Sequence, residues 1–260
     1  MASKPRFLVH MGMNMAELLA PSISAEEATF FGGLAADWWN PRGTSAMLHR
    51  ITPLRSRLVR DAAVAHFGRD ARSRHPLAGL AALDIGCGAG LMTEPLARMG
   101  ARATGIDAAP ENIAAAAAHA AAGGLLIDYR ATSVEALADT GATYDIITCL
   151  EVVEHVAGRD SFFAALARLL APGGLAVLST PNRTPASWAV LIGGAEILLR
   201  NIPRGAHDWQ RFMTPAELTE ALTNVGLAIT QTQGLTWRPG QGFTLGPDVS
   251  VNYFLTAIKP

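Results

Sequence analysis

From Leu80 onward the chain alternates short apolar runs with longer amphipathic stretches. Ala82–Ile85, Ala103–Ile106, Leu125–Tyr129, Tyr144–Cys149 and Leu175–Ser179 have the length and composition of strands buried on both faces. Between them, Leu91–Met99, Pro110–Ala122 and Asp160–Leu170 read as helices. Pro110 suits a first helical turn, and Pro172-Gly173-Gly174 stops the third of these helices. A helix over Thr214–Val225 and strands near Leu227–Thr232 and Val251–Ile258 follow. Strand–helix alternation of this kind predicts an α/β fold with a parallel, doubly wound sheet.

The flanking segments depart from that rhythm. Residues 1–24 predict a loosely ordered N-terminus. Ser24-Ala25-Glu26-Glu27 has the form of a helix start, with Ser24 as N-cap and a carboxylate three residues on. Phe30, Phe31, Leu34, Trp38 and Trp39 follow at spacings that put them on one helical face. A second helix over Ala46–Phe67, interrupted near Pro53, and a solvated linker at Arg69–Arg74 complete a helical cap over residues 25–75. After the fifth strand, residues 183–213 form an apolar, glycine-containing insertion flanked by Arg183, Arg200 and Arg204. The expected organisation is one domain over residues 25–260, carrying that cap and that insertion.

Composition narrows the class. The 260 residues allow one large domain or two small ones. Half are apolar and 17% charged, below the ~25% of an average soluble protein, which excludes disorder as the main state. A formal net charge of −1 supplies no global basic field, so nucleic acid is not an expected partner. Cys87 and Cys149 are too few for a disulfide scaffold and lack zinc-finger spacing, and they predict a reduced, cytoplasmic protein. The N-terminus has no sustained apolar core of a signal peptide, no segment reaches the ~18–20 apolar residues of a membrane span, and Met11, Met13 and Met15 offer later start sites.

The first strand ends in Leu83-Asp84-Ile85-Gly86-Cys87-Gly88-Ala89-Gly90. Glycines there permit a tight turn and let a ligand approach the backbone. A dinucleotide fingerprint would place its last glycine where Leu91 stands, which disfavours an NAD-dependent oxidoreductase, and no phosphate-loop lysine follows. Asp107 closes the second strand about 20 residues further on, where a carboxylate can accept from both ribose hydroxyls. An adenosine ligand without a pyrophosphate fits both features, and S-adenosylmethionine is such a ligand. The loop, Asp107 and Tyr144-Asp145-Ile146-Ile147 together resemble the class I S-adenosylmethionine-dependent methyltransferases, which implies their Rossmann-like sheet. Fold alone does not name a substrate.

A second cluster, Glu151, Glu154 and His155, follows the fourth strand. On a helix these positions would share one face, at the sheet edge where doubly wound folds bind ligands. Two readings stand. Carboxylate and imidazole suit a hard divalent ion such as Mg²⁺, which would stabilise a phenolate while His155 takes the proton. Alternatively the acids and imidazole order the loop, as in methyltransferases that use no metal.

Further stretches sharpen the resemblance. Leu34-Ala35-Ala36-Asp37-Trp38-Trp39-Asn40-Pro41 and Leu48-His49-Arg50-Ile51-Thr52-Pro53-Leu54-Arg55 closely resemble the N-terminal region of the ubiquinone-biosynthesis O-methyltransferases. Ser179-Thr180-Pro181-Asn182-Arg183, Gly205-Ala206-His207-Asp208-Trp209 and Val251-Asn252-Tyr253 are similar as well. The resemblance implies methylation of phenolic hydroxyls on polyprenylated intermediates of the 3-demethylubiquinol and 2-polyprenyl-6-hydroxyphenol type. It implies a cofactor pocket lined by Arg55, Gly86, Gly88, Asp107 and Leu150, and a divalent metal at Glu151, Glu154 and His155. Arg55 has its own rationale, since a guanidinium pairs with a methionyl carboxylate. His49 and His207 are substrate-side candidates without an assigned role. Thr52 stands where the family has Asn, and Gly240–Pro247 is richer in glycine than the family pattern, which leaves prenyl-length preference open.

A polyprenyl phenol resides in the bilayer. Trp188, Val190, Leu191, Ile192, Ile197, Leu198 and Leu199, flanked by arginines, therefore predict peripheral docking on the inner face of the membrane, alongside other ubiquinone-biosynthesis proteins. Two other classes of function share the cofactor residues: an O-methyltransferase for another small phenol, and a non-catalytic S-adenosylmethionine-binding assembly protein.

Overall fold

Eight strands form one sheet in the computed structural model, which describes residues 23, 25–33, 35–43, 45–191, 208–238 and 240–260. In chain order they are β1 (Ala81–Ile85), β2 (Arg102–Asp107), β3 (Asp128–Ala131), β4 (Tyr144–Leu150), β5 (Leu170–Pro181), β6 (Ala228–Arg238), β7 (Gly242–Gly246) and β8 (Asn252–Ile258). The helices are α1 (Ala25–Gly32), α2 (Ala46–His66), α3 (Thr93–Arg98), α4 (Pro110–Ala122), α5 (Val134–Asp139), α6 (Arg159–Leu169), the single turn α7 (Pro185–Ser187) and α8 (Pro215–Asn224). The spatial order is β3-β2-β1-β4-β5-β8-β6-β7. The first five strands pair in parallel, as expected, whereas β8, β6 and β7 add antiparallel pairings. The order reverses between β1 and β4, and the crevice beyond their C-terminal ends is the ligand position of doubly wound sheets.

Burial on both faces explains why the central strands are mostly apolar at successive positions, Asp84 and Thr148 being buried exceptions. Leu83, Ile85, Ile147, Cys149, Ala176, Leu178 and Leu255 join one buried cluster with Phe162, Phe163 and Leu166 of α6 and Leu218 and Leu222 of α8. Ala82, Ile146, Leu175, Val177 and Phe254 join the other with Ile51, Leu58 and Val59 of α2 and Leu96 of α3. Each strand thus supplies side chains to both faces.

Several expectations are corrected. Helix α1 stops at Gly32, and Trp38 and Trp39 follow a 3-10 turn at Ala35–Asp37, so the five aromatic and apolar residues do not share one helical face. Ser24 and Leu34 lie outside the described residues, as do residues 1–22, 192–207 and 239. Strand β3 begins at Asp128 rather than Leu125, because Leu125 N still donates to Ala120 O to close α4 (2.9 Å) and Leu126 is 97% exposed. Strand β5 starts at Leu170, ahead of Pro172-Gly173-Gly174, with an irregularity opposite Tyr144–Ile146. Helix α5, capped by the Ser133 side chain, and the short strand β7 were not among the predicted elements.

Helix α2 is not interrupted at Pro53 but runs unbroken to His66. The proline ring is exposed, and beside it the Thr52 hydroxyl donates to Leu48 O at 2.7 Å. Proline still removes the N–H that would reach the His49 carbonyl. Pro53→Ala is therefore expected to raise the unfolding free energy by about 1–2 kcal/mol, the regained helical bond outweighing the added freedom of the unfolded chain. Urea denaturation measures it, and an unchanged or lower midpoint would contradict this account.

Candidate active site

Strand β1 delivers the chain into a turn with Gly86 and Gly88 at positive φ (66° and 53°). A Cβ on Gly86 would lie 2.4 Å from Val152 Cγ2, and one on Gly88 would lie 2.5 Å from Trp38 Cη2. Both positions therefore need glycine for backbone angle and for close approach. Gly88 N donates to Asp107 Oδ2 at 2.9 Å, while Ala109 N and Asn112 Nδ2 donate to Oδ1 at 2.9 and 3.2 Å. The carboxylate thereby ties the loop to the start of α4. Burial raises the Asp107 carboxyl, and these hydrogen bonds only partly counter it. Asp84 is buried between the hydroxyls of Thr93 and Thr148, each donating at 2.7 Å, and burial raises it to about 6.

A cavity of about 910 Å³ opens at this loop. Arg55, Gly86, Gly88, Asp107 and Leu150, the five residues singled out for cofactor binding, all line it. Its volume is near the top of the ~300–1,000 Å³ range of small-molecule sites, enough for more than a cofactor alone. Arg55 comes from α2 and is buried; its Nη2 lies 2.9 Å from Glu151 Oε1, yet its Nε and Nη2 have no hydrogen-bond acceptor in line. A buried guanidinium with unused donors, facing a cavity, fits a ligand carboxylate. A ribose fits Asp107 and a close backbone approach fits Gly86 and Gly88, so these residues suit S-adenosylmethionine.

The second cluster differs from the helical face expected of it. Glu151 takes a left-handed φ of 59°, uncommon for a residue with a side chain, and only Val153–His155 form a 3-10 turn. Its Oε1 accepts from Ser179 Oγ at 2.5 Å and its Oε2 from Asn252 Nδ2 at 2.9 Å. Glu154 is buried, accepts from Thr180 Oγ1 at 2.9 Å through Oε2, and leaves Oε1 without a hydrogen bond, 4.0 Å from His155 Nε2. His155 Nδ1 lies 3.2 Å from Glu27 Oε2. Among the described residues, no three His, Cys, Asp or Glu side chains are arranged to hold a metal ion. Glu151 is held by Arg55, Ser179 and Asn252, Glu154 by Thr180 and His155 by Glu27, and no metal site is shown in this arrangement. His155 and Glu151 line the cavity, and Glu154 stands behind them.

Burial by itself would lower the His155 pKa, but the hydrogen bond it donates to Glu27 and the charges of Glu154 and Glu27 outweigh it and hold it above the usual value. Burial raises Glu154 to about 7, with the Glu151 charge adding to the effect. Cys87 and Cys149 are buried and their thiols are pushed up by burial, as inert core residues would be.

The site also uses residues that the sequence did not single out for it. Glu27 of α1 bridges His155 and Arg211, whose Nη1 donates to Glu27 Oε1 at 2.8 Å and whose Nη2 donates to His155 O at 3.2 Å. Trp38 covers Gly88, while Trp39 Nε1 donates to Ala89 O at 3.0 Å and its ring stacks on His119 at 3.4 Å. The Trp-Trp pair was visible as a motif, but nothing in its spacing pointed to the glycine loop. His49 Nε2 lies 2.8 Å from Trp38 O, a structural role; His207 is outside the described residues.

A family model described as a methyltransferase domain matches residues 55–232. The chain is 44% identical to a ubiquinone biosynthesis O-methyltransferase of Methylobacterium nodulans, over 95% of this chain and 99% of that protein. It is 47% identical to one from Azorhizobium caulinodans, over 92% of this chain and 94% of the relative. Among solved structures, magnesium protoporphyrin IX methyltransferase from Synechocystis with bound S-adenosylhomocysteine matches with a TM-score of 0.60 at 21% identity, covering 90% of this chain and all of the other (100%). An N-methyltransferase from Bradyrhizobium japonicum in complex with S-adenosyl-L-homocysteine matches with a TM-score of 0.60 at 18% identity, over 90% and 98% of the two chains. At these identities the structures share the fold.

Glu154 gives a pH signature. A carboxyl raised in the folded state binds a proton that the unfolded chain has already released, so its contribution is present at low pH and is lost as pH rises from about 4.5 through about 7. Glu154→Gln keeps an acceptor for Thr180 and carries no charge. In chelator-containing buffer, the variant's stability relative to the native chain is expected to improve between about pH 5 and pH 8. A difference that stays flat across that interval in urea unfolding would overturn the assignment.

Proposed function

The chain belongs to the ubiquinone biosynthesis O-methyltransferase family, and from that premise we propose how its own residues carry the reaction. It is an S-adenosylmethionine-dependent O-methyltransferase, acting on the phenolic hydroxyl of a polyprenylated ring in ubiquinone biosynthesis. The observation carrying the residue-level reading is that Arg55, the glycine loop, Asp107 and His155 line one cavity at the strand-order reversal.

S-adenosylmethionine supplies an electrophilic methyl group on a sulfonium. Arg55 pairs with its methionyl carboxylate and Asp107 accepts from its ribose hydroxyls. Gly86 and Gly88 allow its close approach, and Leu150 offers apolar packing beside the adenine. A phenol, with a pKa near ~10, is mostly protonated at neutral pH, so a base is needed. His155, held by Glu27, accepts that proton as the oxygen–methyl bond forms and the sulfur–methyl bond breaks. The remaining gain comes from holding acceptor and donor in line. No step is routed through a metal ion.

Mass spectrometry after incubation with S-adenosylmethionine and a short-chain prenylated catechol tests this reading. The native chain is expected to form methylated product. Arg55→Gln should raise the KM for the cofactor, and His155→Gln should lower kcat by roughly 10²–10⁴-fold. Cofactor binding without product on this acceptor, with turnover of an unprenylated phenol or of nothing, would favour the two other classes of function.

Peripheral membrane contact is the second part of the proposal. Trp188 and Val190, at the start of the 183–213 insertion, are 50% and 51% exposed, beside Leu191. Exposed aromatic and aliphatic groups, in a segment whose sequence also carries Arg183, Arg200 and Arg204, suit an anionic bilayer surface. No helix among the described residues is long and apolar enough to cross a membrane. The chain is expected to float with vesicles containing anionic lipid, and Trp188→Asp with Leu191→Asp to stay behind. Equal flotation of the two proteins would remove the insertion from this role.

A further inference from the structure

Part of the cavity lining is accounted for by the cofactor groups; another part comes from segments far apart in the chain. Val190 and Leu191 approach from the turn after α7, and Leu235, Trp237 and Phe243 come from the β6–β7 hairpin. In the hairpin register Trp237 faces Phe243 and Leu235 faces Leu245, so these side chains form cross-strand apolar pairs. Leu235 is buried, and Phe243 and Leu245 pack against the core cluster, whereas Trp237 is 61% and Val190 51% exposed. Thr236, also on the wall, shares a hydrogen bond with Thr244 at 3.3 Å.

Apart from Thr236, whose hydroxyl is paired with that of Thr244, the wall therefore stays apolar from its buried part to its exposed part. Scattered exposed apolar residues need no explanation, but two from distant segments on the rim of one reaction cavity mark a place where apolar surface is covered when the site is filled. We propose that the β6–β7 hairpin, with Trp237 at its rim, and Val190 with Leu191 form the exit path for the isoprenoid tail of the acceptor. The aromatic head lies inward beside His155, and the tail leaves across Phe243 and Trp237. This rests on the polyprenylated-phenol reading and adds the residues that select for the tail. Continuity is its support: the apolar rim and the cofactor groups bound the same space, so a ring at the transfer site has this wall within reach of its substituent.

The test compares a tail-less catechol with the same ring carrying a farnesyl chain, both in neutral detergent so that bilayer docking plays no part. Trp237→Ser changes an exposed side chain, and thermal unfolding checks its fold independently. The readout is the ratio of kcat/KM for the farnesylated acceptor to that for the tail-less one. The native chain should favour the farnesylated ring, and Trp237→Ser should reduce the ratio by about tenfold through KM, the cofactor KM staying in place. Val190→Ser should move the ratio in the same direction. An unchanged ratio in both variants overturns the proposal, as does a parallel loss on both acceptors. A native chain that binds the cofactor but methylates neither acceptor overturns the functional reading itself, a result distinct from either.

Discussion

One carboxylate holds the site together. Glu151 is engaged by Arg55 from α2, by Ser179 from β5 and by Asn252 from β8, so a helix packed on the sheet and two strands within it converge on a single side chain at the end of β4. A buried guanidinium is tolerable only with a matching anion, and a buried anion only with donors; each element supplies part of what the others lack. The left-handed backbone at Glu151 is consistent with that triple engagement, because a disfavoured conformation persists where its surroundings over-determine it. The same bend sets the direction in which Val152 meets Gly86 and the 3-10 turn presents His155 to the cavity.

Features carried by local chemistry were legible in the sequence. The alternating apolar runs, Pro110 at the start of α4 and the Gly86–Gly88 turn followed by Asp107 each depend on neighbours within a few residues or on one strand-to-strand step. The parallel half of the sheet and the cofactor wall followed from them. What escaped prediction depends on distant partners or on segments too short to show a period. Glu27 reaches His155 across much of the chain, and Trp38 reaches Gly88 over a loop with no regular pattern. Helix α5 has six residues, too few to establish helical periodicity. The helical reading of Glu151–His155 failed because groups on β5 and β8 claim the Glu151 carboxylate, which spacing along one segment cannot reveal.

Resemblance and geometry contributed different things. Resemblance named the acceptor chemistry, which no arrangement of strands could have done. Geometry added physical detail to residues already singled out: Arg55 Nε and Nη2 are buried without a hydrogen-bond acceptor in line, and Asp107 is fastened to the loop it would share with a ribose. Geometry also gave three side chains that spacing had grouped hydrogen-bond partners from elsewhere in the chain.

The two ends of the cavity are built from material of unequal stiffness. The cofactor end rests on β1 and β4, strands flanked on both sides and buried on both faces. The acceptor end rests partly on β7, a five-residue strand at the sheet's margin with one neighbour and a glycine at each end. Opening free energies within one protein range from near zero to the global value, and marginal hairpins sit at the low end. Hydrogen exchange should thus be faster in β7 than in β1 and β4. The pocket can relax locally around acceptors of different bulk while the half that orients the methyl donor keeps its shape, so tolerance toward one partner need not erode precision toward the other.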